Sequence, residues 1–368
     1  MQVLKAPQAQ VLSALQSVAG VVERRQTLPI LSNVLLRKSG EVLQLITSDL
    51  EIQIRSTESL GGEAGDFQTT VGARKLIDIL RTMPADQTVT LEAQQEKMVL
   101  KGGKSRFTLQ TLPAQDFPLV QEAASFGPVF SVPQKVLKNL LTQVSFSMAV
   151  HDIRYYLNGI LFVAEGNTLS LVATDGHRLA FTSATLETEV PKQEVILPRK
   201  TVLELFKLLN HPGEPVTVEL LNNQVRLRCQ DTVIVSKVVD GKFPDYNRVI
   251  PLDNDKLFLV GRTQLLGALE RAAILANEKF RGARLHIKPG VLSVTCSNNE
   301  QEEAREELEI AYQGDELEVG FNINYLMDVL RNVHSDDLQL AFGDVNRSTL
   351  FTIPNNPNFK YIVMPMRI

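Results

Sequence analysis

Cysteine is nearly missing from this chain of 368 residues, where Cys229 and Cys296 stand alone. Two isolated thiols cannot build a disulfide framework or a four-cysteine metal site, so the sequence reads as a protein of a reducing compartment. No apolar run approaches the ~18 to 20 residues needed to cross a bilayer. The opening stretch, residues 1–8, has neither the basic start nor the apolar core of a secretory signal. The expectation is a cytoplasmic protein with no membrane partner. An excess of positive charge is lacking as well. Lys and Arg number 38 against 42 Asp and Glu, a net charge of -4, so a polyanionic partner must be met by a local basic surface. What is there is an ordinary globular composition, 44% apolar and 22% charged, which excludes wholesale disorder. At roughly 100 to 200 residues per domain, the length asks for two to four domains.

Catalytic and metal-binding patterns are also sparse. The five histidines, His151, His177, His211, His286 and His334, show no i, i+4 pairing and no partner cysteines, so zinc and iron sites are not expected. Gly103-Lys104-Ser105 imitates the end of a phosphate loop, but Met98 stands where that loop needs its first glycine, and strands follow instead of a helix. It reads as a hairpin turn. Thr174-Asp175-Gly176-His177-Arg178 is the one tempting catalytic cluster, with His177 as base and Asp175 as its orienter in a small-molecule hydrolase or transferase. Neighbours in a tight turn rarely point the same way, and no activated Ser or Cys accompanies them. No cofactor is expected.

Self-similarity organises the rest. Apolar residues recur at helical spacing in Val11, Ala14, Leu15 and Val18, in Leu137, Leu140, Leu141 and Val144, and in Leu266, Leu269 and Ala273, offset by 126 and 129 residues. An alternating pair and a polar stop follow each time, as in Leu43, Leu45 and Asp49, or Leu169, Leu171 and Asp175. A second helical pattern follows in Leu76, Ile79 and Leu80, in Val202, Leu205 and Phe206, and in Leu326, Val329 and Leu330. Strand-like alternation closes each unit, for example Phe107-Thr108-Leu109 and Val216-Thr217-Val218. So long a period exceeds the ~20 to 50 residues of a solenoid repeat, and each unit is expected to be a domain with its own core. The spacing predicts domains at 1–125, 126–253 and 254–368, with short linkers near 123–127 and 252–255. Two helices among many short strands and turns make the class α+β, antiparallel sheet with helices on one face.

Helices are predicted at 7–18, 73–83, 133–144, 198–209, 262–273 and 322–333. Together they carry 11 Lys and Arg against 4 Asp and Glu, while the remainder of the chain is strongly acidic. Repetition would gather these helices on one face, where basic side chains meet phosphates and an acidic remainder repels them elsewhere. The acidic run from Glu300 to Glu307 reads on its own as a solvated face.

Several longer strings carry a resemblance across the whole chain: Thr27-Leu28-Pro29-Ile30-Leu31, Arg154-Tyr155-Tyr156-Leu157-Asn158-Gly159, Ala173-Thr174-Asp175-Gly176-His177-Arg178-Leu179, Asp240-Gly241-Lys242-Phe243-Pro244, Asn277-Glu278-Lys279-Phe280-Arg281-Gly282 and Val363-Met364-Pro365-Met366-Arg367. In them the sequence resembles the DNA polymerase III beta subunit family, the bacterial sliding clamps. The resemblance implies three tandem DNA-clamp domains with sheets outside and helices inside, closing as a homodimeric ring around double-stranded DNA read without sequence preference. It implies Arg25, Arg74, Arg81, Arg199 and Lys200 as inward-facing contacts, with Tyr155 and Tyr156 near the strand and Val150 and His151 where relatives have a polar pair. It implies an apolar peptide pocket of Leu157, Thr174, Gly176, His177, Arg178, Leu179, Pro244, Arg248, Val249, Ser348, Val363, Met364, Pro365, Met366 and Arg367, with His177, Arg178 and Arg248 donating to the peptide and Asn346 in place of an aliphatic wall. It further implies a dimer contact of Phe107, Leu109 and Arg106 against Ile274, Leu275, Glu302 and Glu303. The implied partners are the polymerase III alpha subunit, the clamp loader, other DNA polymerases, and mismatch repair and ligase proteins, all carrying linear clamp-binding motifs.

Overall fold

A computed structural model describes residues 1–23 and 28–368. The six expected helices are present as α1 (Gln8–Val18), α2 (Ala73–Arg81), α3 (Gln134–Ser145), α4 (Arg199–Leu208), α5 (Arg262–Ala272) and α6 (Ile323–Asn332). Each starts directly where a strand ends, so the apolar period changes from 2 to 3.6 without a connecting loop. In α2 the buried residues are Ala73, Leu76, Ile77 and Leu80, while Arg74, Lys75, Asp78 and Arg81 face solvent. Ile77 takes the core place expected of Ile79, and in α5 Leu265 takes that expected of Leu266. The reason is the ~100° turn per residue, which sets the buried stripe one or two positions from the one assigned by spacing alone.

The chain forms two compact units. One comprises residues 1–135 and 203–238, the other residues 136–202 and 239–368. The first holds a twelve-stranded antiparallel sheet in which Ile52–Glu58 pairs with Thr232–Lys237, with Ser56 opposite Thr232 and Ile52 opposite Ser236. Strands of the first and second sequence repeats thus share one ladder. The linker beside this joint is bound down. Gln53 accepts from the Val120 amide at 3.0 Å, Gln224 accepts from that of Ala123 at 3.2 Å, and Glu122 pairs with Arg55 and Arg226 at 3.1 Å each. Lys97–Gly102 and Ser105–Leu112 form the expected hairpin, closed by Gly103 at φ +57°.

The second unit holds a six-stranded sheet and a four-stranded sheet. Its longest strands, Gly159–Thr174 and Arg178–Pro198, make a hairpin, and the second of them also pairs with Asn356–Val363. Here strands of the second and third repeats are joined. Helices α5 and α6 pack together against the four-stranded side. No helix among the described residues is long and apolar enough to cross a membrane.

Candidate functional site

The turn joining Gly159–Thr174 to Arg178–Pro198 is the local source of the site. Asp175 Oδ1 accepts from the amides of His177 at 2.9 Å and Arg178 at 3.1 Å. The Thr174 hydroxyl donates to the Arg178 carbonyl at 2.6 Å and accepts from the Gly176 amide at 3.1 Å. Gly176 has φ +89°, and a β-carbon there would lie 2.8 Å from the Arg154 guanidinium, so only glycine suits the position. Register then brings Val363 opposite Arg178 and Ile362 opposite Leu179, and the Met364 amide donates to the His177 carbonyl at 2.9 Å.

These elements enclose a recess of about 120 Å³, lined among others by Leu157, Thr174, Gly176, His177, Arg178, Leu179, Pro244, Val249 and Met364. That is room for one apolar side chain rather than for a drug-sized ligand, whose pockets run to roughly 300 to 1,000 Å³. Arg154, Tyr156 and Ile362 also line it, Tyr156 being one of the residues the resemblance implies near DNA. Val363 is fully buried one step behind. Ser348 contributes its carbonyl to Asn254 at 3.0 Å, and Pro365 is half-buried. Arg248 projects into solvent, paired with Asp245 at 3.0 Å. Met366 and Arg367 are not in the recess; they border a separate groove with Phe280, Arg284 and Asn299.

Arg178 differs from the expectation that it offers free donors. Its side chain is only 10% exposed, with Nε 3.1 Å from Asp175 Oδ2 and Nη1 2.6 Å from Asp328 Oδ2. Its guanidinium carbon lies 4.4 Å from the Tyr325 ring centroid. It braces the wall from behind. Tyr361, fully buried, donates to the Tyr325 carbonyl at 2.7 Å, and burial pushes its phenol pKa well up. The half-buried Asp152 is held down at about 2 by its hydrogen bonds to Arg154. Tyr325 and Asp328 escaped sequence reasoning. They lie i, i+3 on α6, but nothing in the sequence ties that helix face to a turn 150 residues earlier.

The same geometry answers the hydrolase reading. The Asp175 carboxylate holds two backbone amides and Arg178, while the His177 ring stacks on Tyr325 with centroids 6.4 Å apart. Base and orienter are therefore not assembled. Both cysteines are buried, and burial pushes each thiol up to about 11, which leaves them poor nucleophiles.

For the implied DNA surface, Arg25 lies outside the described residues. Arg74 donates to the Val22 carbonyl, and Arg81 is exposed and 3.5 Å from Asp78. Arg199 and Lys200 open α4 and are half-buried. Tyr155 is exposed, edge-on to Tyr156.

Of the implied dimer residues, Arg106, Phe107, Leu109 and Glu303 lie on open strand edges, and Ile274 and Leu275 lie in the single helical turn Ala273–Leu275. Beyond its hairpin partner, Ser105–Leu112 is paired only at Thr111 and Leu112 among the described residues, leaving Arg106, Phe107 and Leu109 on a free edge. Glu303–Glu309 is the edge of the four-stranded sheet, preceded by Glu302, which bonds Asn298. Ile274 is 78% exposed and Leu275 half-buried. Unpaired edges of this length are normally covered.

A repeated α+β domain with a recess sized for one apolar side chain is the architecture of a protein that holds others. The comparisons agree. Family descriptions of the DNA polymerase III beta subunit match residues 4–121 for its N-terminal domain, 131–245 for its central domain and 247–367 for its C-terminal domain. The beta sliding clamp of Pseudomonas aeruginosa is 46% identical over 363 residues, covering 97% of each chain. That of Escherichia coli K12 is 42% identical over 357 residues, again covering 97% of each. The crystal structure of the DNA polymerase III subunit beta from P. aeruginosa superposes with a TM-score of 0.96 at 44% identity, covering 100% of both chains. This chain belongs to the DNA polymerase III beta subunit family, the bacterial sliding clamps. It is built of three clamp domains and is a non-catalytic processivity subunit of DNA replication.

Proposed function

We propose that two copies of this chain close into a ring that encircles duplex DNA in the cytoplasm and tethers partners through the recess between the 174–179 turn and Met364. The observation that carries the tethering is the recess itself, preformed by Asp175 and Arg178 and sized for one Leu or Phe of a linear peptide. The polymerase III alpha subunit, the clamp loader, other polymerases, and mismatch repair and ligase proteins would share it, an adaptable Met at its rim suiting varied peptides. Domain limits of 1–125, 126–253 and 254–368 fit this arrangement.

Closure would be head to tail. Phe107 and Leu109 on one free edge would meet Ile274 and Leu275 of the partner, with Arg106 facing Glu302 and Glu303 at the rim, and using the contact twice closes the ring. Its basic contacts, Arg25, Arg74, Arg81, Arg199 and Lys200 with Tyr155 and Tyr156, would attract phosphates weakly enough to permit sliding. The test is retention on DNA. Protein loaded on a closed circle should survive a high-salt wash and leave when the circle is cut, and equal retention on linear and circular DNA would refute the topological link.

A further inference from the structure

Past the recess, the chain stays bound to the surface. The Met366 amide donates to the Gly320 carbonyl at 2.8 Å, tying the tail to strand Leu317–Asn322. Gly282 lies on the neighbouring strand Gly282–Lys288, where it pairs with Asn322 while Arg284 pairs with Gly320. A β-carbon on Gly320 would fall 2.6 Å from the Met366 carbonyl oxygen and 2.7 Å from two side-chain carbons of Ile368. One on Gly282 would fall 3.1 Å from Ile368 Cδ1. Neither glycine has a positive φ, so backbone freedom does not explain them. Glycine weakens a strand, and it is kept there where another segment must come close. The pair makes a bed for Ile368.

We infer that Ile368, seated on Gly282 and Gly320, is a positioning residue for the peptide recess. It does not line the recess; it pins the tail on the far side of Met364, whose amide is already held by the His177 carbonyl. Met364 is exposed and has three rotatable side-chain bonds, so a tail held at both ends lowers the ordering cost of closing it over a peptide. A loose tail would leave the same atoms available but unordered. The inference rests on reading the recess as the peptide site.

The test uses the full-length dimer and a short fluorescein-labelled peptide bearing a Leu-Phe pair, titrated by anisotropy. Ile368→Ala and Gly320→Ala should each weaken binding about 3- to 10-fold. Ile368→Leu should bind like the parent, and dimer mass and urea midpoint should not move. Met364→Ala separates the two readings. Loss of binding in Met364→Ala with full binding in Ile368→Ala removes the role of Ile368 and keeps the recess. Full binding in Met364→Ala removes the recess and the inference with it. If Gly320→Ala lowers the urea midpoint, Ile368→Ala decides alone.

Discussion

Arg178 and Asp328 meet at 2.6 Å across 150 residues of sequence, joining the turn that walls the recess to α6 of the C-terminal domain. Asp175 takes the other edge of the same guanidinium, and Tyr325 covers its face. One arginine, only 10% exposed, thus fixes a turn and a helix at once.

Removing Asp328 is expected to loosen that wall. Asp328→Ala should cost about 1 to 2 kcal/mol, less than for a fully buried pair because the aspartate keeps some solvent contact. Peptide affinity should fall with it. Urea unfolding and a peptide titration measure the two, and an unchanged affinity would show that Arg178 is held adequately by Asp175 alone.

The turn has no tolerance at its centre. Gly176→Ala would place a β-carbon against Arg154 at a left-handed φ, which costs on the order of 1 to 3 kcal/mol. Weaker peptide binding should accompany a lower unfolding midpoint. A variant of full stability and affinity would mean that the loop relaxes freely.

Oligomeric state reports on the implied dimer residues. Ile274→Ala combined with Leu275→Ala should yield monomers by sedimentation velocity at sub-micromolar concentration. A double variant that remains dimeric there removes both residues from the interface.

Acid should weaken the Glu219–Arg226 cluster on the hairpin of the second repeat. The Glu219 carboxylate is held below its ordinary value of 4.5 by its hydrogen bonds to Arg226, with Arg228 adding to the effect. A depressed carboxylate pKa contributes stability in full above the unfolded value and loses it as pH falls through the folded one. Stability should therefore drop below about pH 4.5, and Glu219→Gln should flatten that limb while lowering stability at pH 7. Parallel acid limbs for the variant and the parent would show that other carboxylates govern it.

The amino-acid sequence by itself determined the threefold repeat, the six helices to within a residue or two at each end, and the hairpin at Gly103. These are local: helix and turn follow from apolar period and glycine placement within about a dozen residues. It also carried the strings by which the family is read, and that resemblance implied most of the recess residues, Thr174 and Gly176 to Leu179 among them. Only the tertiary structure decided that Arg178 serves the wall, that Tyr325 and Asp328 stand behind it, and that Met366 and Ile368 rest on a glycine bed outside the recess. The physical reason is that a guanidinium at a recess offers its donors to whichever acceptors arrive first, and those acceptors come from a helix whose approach is set by strand pairing between domains. Spacing along the chain holds no record of that approach.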